Sequence, residues 1–198
     1  MTTEYVRLAI KYGFIALNVY FMIQIFLRDR KILKDYYFSI SWKLMGEMAV
    51  LVFITISTTL FLRRFNPKLM NFSWLNIFNV EGTNINLTGV NIPYFGIAFC
   101  ILLLAVLPVL AESEEKVFRV GTKNWIDGTV RSVCFGLVHC LVGIPIGWGL
   151  AITIPGMYFT YKYFRGGLRL CSQAHFQYNL IAVSILLLFQ INDTFGVF

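Results

Sequence analysis

The constraint that dominates this sequence is its set of long apolar runs. They lie at about 8–27, 45–62, 93–111, 125–143, 147–163 and 173–191. A helix needs ~20 mostly apolar residues to cross the hydrocarbon core of a bilayer. In lipid every backbone N–H and C=O must find a partner within the protein, and a helix achieves this segment by segment. The expected fold class is therefore all-α, a polytopic transmembrane helix bundle of about six membrane helices, with 1–198 forming a single membrane domain. The chain is 58% hydrophobic and 14% charged, against about 25% charged for an ordinary soluble domain. Its first run, interrupted by Lys11, lacks a small-residue cleavage site and is expected to stay in the membrane as an anchor.

The net charge of +7 does not point to nucleic acid, because the basic residues sit in short connections between apolar runs. There they set topology and meet anionic lipid headgroups. Three connections carry Arg28, Arg30, Lys31, Lys34, Lys43, Lys116, Arg119, Lys123, Lys162, Arg165 and Arg169. The other side carries Arg7, Lys11, Arg63, Arg64 and Lys68, so the bias places the three connections in the cytoplasm and both termini outside. Gly166-Gly167 reads as a turn between the last two runs. The long connection 63–92, rich in Asn and aromatics, is expected to hold a short interfacial helix around LMNFSWLNIF. Cys100, Cys134, Cys140 and Cys171 lie in or beside apolar segments with no CxxC spacing, and read as small buried hydrophobes.

Ionisable groups in membrane helices are costly and usually face the bundle interior or a wet cavity. In AESEEKVFRV, Glu115 and Arg119 are four apart and share a helical face. Glu114 lies about 100° around the helix from Glu115, and Glu112 can pair with Lys116. Alone, this reads as a solvated helix end. In FGLVH, Phe135 can pack beside His139, and a histidine satisfied by a backbone carbonyl is the commoner reading of such a pair. In HFQYN, His175 and Asn179 share one face of an apolar run, which suits interhelical hydrogen bonding as well as a site.

Taken together and in order, EExxxR, FxxxH and HxxxN resemble the CPBP family, the CAAX-prenyl-protease and bacteriocin-processing (Abi) intramembrane proteases. The likeness covers roughly Pro93 to Leu188, the C-terminal half, and 93–191 would be the catalytic core. The resemblance implies that Glu114, with His139, activates a water, that His175 and Asn179 stabilise the oxyanion, and that Glu115, Arg119 and Phe135 support the site. It implies an endopeptidase acting on a protein or peptide substrate, prenylated or not, in a multi-pass protein of a bacterial plasma membrane, with membrane lipid as the other partner and no cofactor. Val120 stands where many members have Gly, a departure that bears on substrate more than on the site.

Three alternatives stand beside this expectation. A zinc site with two His and one Glu ligand is conceivable, but the HExxH spacing is absent. Haem ligation by His139 and His175 finds no further support in the pattern. A non-catalytic membrane immunity or scaffold protein of the same fold would use the same polar groups as interhelical glue.

Overall fold

The computed structural model describes residues 2–73 and 94–196, and every element among them is helical. In chain order these are α1 (Thr2–Arg28), α2 (Arg30–Phe38), α3 (Trp42–Phe65), α4 (Pro67–Asn71), α5 (Phe95–Arg119), α6 (Trp125–Val138) and α7 (Ile146–Phe195). A 3-10 turn, His139–Val142, extends α6. Four helices are long and apolar enough to cross a membrane: α3, α5, α6 with its 3-10 turn, and α7. Among the described residues, then, four helices rather than the expected six meet that length and composition. The first run forms a shorter apolar stretch, Tyr12–Arg28, within α1, and the last two runs are the two arms of α7, parted by a break at the Gly166-Gly167 pair where a turn is expected.

The break has a local cause. Gly166 (φ −155°, ψ 20°) and Gly167 (φ 68°, ψ −166°) leave helical geometry inside α7. The Gly167 conformation is essentially closed to any residue with a Cβ. Rings from either side of this break then meet. Phe159 stacks on His175 with centroids 4.6 Å apart and lies 5.8 Å from Tyr178. The arms 146–165 and 168–195 thus double back on one another, and α3, α5 and α6 pack around them.

Small residues let α6 approach the first arm. A Cβ on Gly136 would run into the Gly149 carbonyl, and one on Gly156 would meet the Phe135 ring at 3.0 Å. The Ser132 and Thr160 hydroxyls bond across the same seam at 3.1 Å. Close backbone approach at small residues is how helices associate where lipid removes the hydrophobic drive. The outer surface is correspondingly apolar, with Val50, Phe53, Leu60 and Phe61 of α3 all exposed. A surface of this kind suits lipid, and the chain has the features of a membrane protein.

The first basic connection is itself a helix, α2, which the charge pattern had concealed. Leu33 and Tyr36 are buried while Lys31, Lys34 and Asp35 are exposed. Tyr36 and Tyr37 both pack edge-on against Phe176, at 5.9 and 5.0 Å. The Tyr36 hydroxyl donates to Glu112 at 2.9 Å, and that of Tyr37 donates to the Leu104 carbonyl. Burial pushes both phenols up, Tyr37 to about 12; at Tyr36 the bond to Glu112 adds to burial.

Further contacts gather the three basic connections at one end of the bundle. Lys162 meets Glu47 at 2.6 Å, the Arg169 guanidinium lies 4.9 Å from the Tyr36 ring, and Trp125 packs on Phe164 at 5.1 Å. One local expectation needs correction: Cys134 is exposed and Cys140 half-buried, so only Cys100 and Cys171 are buried. Pro93 and the second half of LMNFSWLNIF, 74–78, lie outside the described residues, and the short helix α4 ends within the first half, at Asn71.

Candidate functional site

α5 does not stop at residue 111 but runs on to Arg119, so EEKVFR forms its last turns and packs into the bundle. Glu115 and Arg119 are each 0% exposed, with Arg119 Nε 3.1 Å from Glu115 Oε2. The solvated-helix-end reading therefore fails for this pair. It holds better for Glu112, half-buried and 2.7 Å from the exposed Lys116.

A charge pair taken out of water needs further polar partners to offset its desolvation. Arg119 Nη2 donates to the Gly156 carbonyl at 3.1 Å, and its guanidinium lies 5.1 Å from the Phe135 ring centroid. Glu115 Oε2 also accepts from the Cys171 thiol at 2.7 Å. Its other oxygen, Oε1, lies 2.8 Å from His175 Nδ1. The His175 and Arg119 Nε approaches are close but bent away from ideal hydrogen-bond alignment, so they act chiefly as electrostatic contacts. Two unprotonated acceptors at 2.8 Å would repel, so Nδ1 carries a proton.

The opposite nitrogen of that ring faces the neighbouring glutamate. His175 Nε2 lies 3.7 Å from Glu114 Oε2, beyond direct hydrogen-bond reach. Glu114 Oε2 is buried and has no hydrogen-bond partner, yet the side chain as a whole is 36% exposed. Successive residues on α5 thus do different things. Glu115 is locked inside, and Glu114 straddles the edge of the bundle with one oxygen turned inward.

Phe135 is the hub of the cluster. His175 packs against its ring at 5.3 Å and His139 at 5.0 Å, both edge-on. His139 opens the 3-10 turn after α6, half-buried, with Nδ1 2.8 Å from the Phe135 carbonyl. A carbonyl only accepts, so Nδ1 donates. This is the backbone-satisfied histidine that FGLVH by itself suggests. Among the described residues His139 makes no hydrogen bond or ion pair with Glu114. Asn179, one turn beyond His175, is half-buried and bonded to none of these groups among the described residues.

The structure thus brings Glu114, Glu115, Arg119, Phe135 and His175 together and seats His139 on the same Phe135 ring, while among the described residues neither His139 nor Asn179 bonds to Glu114 or His175. Sequence reasoning missed Phe159, stacked flat on His175, and Cys171, one turn before His175 on the same face. It also missed the buried Ser172 and Gln177, whose Oγ and Oε1 lack hydrogen-bond partners. Polar residues breaking an apolar run were the available signal.

Among the described residues no three His, Cys, Asp or Glu side chains converge so as to hold a metal ion. The guanidinium against Glu115 also opposes a cation at that carboxylate. What the cluster offers instead is proton chemistry: a half-open carboxylate beside an imidazole. Comparison with family models, with curated proteins and with solved structures returned no match.

Proposed function

We propose that this chain is an intramembrane endopeptidase of the CPBP type, with Glu114 as its general base. The observation that carries this reading is the inward Glu114 Oε2, buried without a hydrogen-bond partner and 3.7 Å from His175 Nε2. An unpaired buried acceptor costs about 1–3 kcal/mol, and a site that needs a base has a use for one. Beside it, the buried Glu115–Arg119 pair holds the histidine from behind.

In the proposed reaction Glu114 takes a proton from water as the water oxygen attacks the scissile carbonyl carbon. The Nε2 lone pair of His139 serves as a second proton acceptor. His175 and Asn179 face the oxyanion. To donate from Nε2, His175 carries protons on both nitrogens, and the Glu115 carboxylate beyond Nδ1 balances that charge. Collapse breaks the C–N bond, and the proton held by Glu114 passes to the departing amine. The substrate is a protein or peptide, prenylated or not, reached from the lipid or the basic end. In this reading the basic end faces the cytoplasm of a bacterial plasma membrane. α1 and the two arms of α7 then join α3, α5 and α6 to give six crossings.

A second reading, a non-catalytic immunity or scaffold protein, is favoured by two observations. His139 is satisfied by the Phe135 carbonyl, and among the described residues Asn179 makes no bond to the cluster. Comparative membrane proteomics of cells carrying wild type or Glu114→Ala separates the two. A peptide bond cut only in the wild type supports the peptidase. Identical peptides, with both proteins equally folded and inserted, remove it.

A further inference from the structure

The two most exposed large apolar side chains among the described residues are Phe38 (90%) and Trp42 (84%). They flank the turn from α2 into α3. Nothing in the proposed reaction uses them. Trp at such a position is the usual anchor between lipid tails and headgroups.

The adjoining face of α2 is cationic. On a helical wheel Lys31, Lys34 and Phe38 fall within about 60° of one another, opposite the buried Leu33 and Tyr36. All three are exposed, as are Arg30 and Lys43. Over residues 28–43 there are five basic side chains (Arg28, Arg30, Lys31, Lys34, Lys43) against two acidic ones, Asp29 and Asp35. Asp29 is already against Arg28, at 3.5 Å. Among the described residues no carboxylate pairs with Lys31 or Lys34. The helix is also fixed in place: Tyr36 bonds to Glu112 on α5, and Gln173 Nε2 donates to Ser39 Oγ at 3.0 Å.

We propose that this face of α2, with the α2–α3 turn, is a docking surface for the headgroup of an anionic phospholipid. Cations set directly beside apolar rings fit an amphiphile. An acidic peptide or a nucleic acid would satisfy the charges and leave Phe38 and Trp42 in water. The surface continues into α3, whose outer face is apolar, so acyl chains have somewhere to lie. The attraction is electrostatic and short-ranged, set by the net positive charge of the segment. The assignment is independent of the peptidase reading, since α2 and α3 form the surface whatever reaction the chain performs.

The test uses the full chain in phosphatidylcholine vesicles doped with a photoactivatable phosphatidylglycerol, or with the matched phosphatidylcholine probe. Crosslinked peptides are mapped by mass spectrometry. The expected result is labelling of 30–43 several-fold higher with the anionic probe, at low salt. The ratio should fall toward one near 1 M salt, where the screening length is about 3 Å. In Arg30→Gln/Lys31→Gln/Lys34→Gln it should fall to about one. Arg63→Gln/Arg64→Gln/Lys68→Gln removes as many charges at the opposite end and should leave it unchanged. Circular dichroism confirms that each variant folds. Equal labelling by both probes in the wild type overturns the proposal, as does a ratio unmoved by the first variant. Loss of labelling to an added polyglutamate peptide, but not to high salt, overturns it in favour of an acidic protein partner.

Discussion

The Nδ1 of His175 stands 2.8 Å from Oε1 of Glu115, and solvent reaches neither side chain. Sixty positions separate them (175 − 115), yet this contact decides what each glutamate of the pair can do. Glu115 is committed to Arg119, Cys171 and His175. Glu114 is left as the carboxylate with an open side.

Glu114 and Glu115 should therefore respond oppositely to the same change. Glu115→Gln leaves the Arg119 charge buried without its counter-ion, which should cost roughly 3–5 kcal/mol. Glu114→Gln removes no such pair and takes the charge off a buried, unpartnered oxygen, so its thermal unfolding midpoint should equal or exceed that of wild type while cleavage is lost. Equal destabilisation by both would contradict the division.

Cys171 should behave as a positioning residue for Glu115. Cys171→Ala removes a donor from a buried carboxylate and should destabilise by about 1–2 kcal/mol; Cys171→Ser restores one and should recover most of the loss. The chain has two histidines, so 15N labelling of histidine gives two ring systems to follow. The His175 signals should move in the Ala variant and return toward wild type in the Ser variant, with His139 unmoved. Parallel shifts of both rings would point to a general loosening instead.

Gly167 should be far less replaceable than Gly46. A Cβ meets nothing within 4 Å at either position, but Gly167 sits at φ +68°. Gly167→Ala therefore isolates backbone strain, about 1–3 kcal/mol. Gly46→Ala lies in the interior of α3 and should be neutral or stabilising by up to about 1 kcal/mol. Chemical denaturation of the two in one detergent compares them directly.

Above pH 10 the docking of α2 should weaken. Burial raises the Tyr37 phenol from 10.0 to about 12. The folded state therefore holds its proton where the unfolded chain has released it. The associated stability is complete below pH 10 and drains away as pH climbs toward 12. Tyr37→Phe cannot titrate there, so its unfolding midpoint should fall less steeply over that interval. Identical slopes would show that Tyr37 does not set the response.

What the sequence by itself determined was whatever depends on neighbours along one helix. Apolar runs near the thickness of a bilayer dictate helices. Four-residue spacing dictates the Glu115–Arg119 and Glu112–Lys116 pairs, and a Gly-Gly pair dictates a break. Tertiary structure decided what depends on elements distant in the chain. It made a buried pair of what read as a solvated helix end, because α7 brings Gly156, Cys171 and His175 against α5. It hid a helix in a basic connection, because Tyr36 and Tyr37 are held by Phe176 and the α5 surface, both distant in the chain. It also seated both histidines, 36 positions apart in the chain (175 − 139), on the one Phe135 ring. Periodicity is a property of one helix, whereas burial and pairing across the bundle arise only when several helices choose their partners.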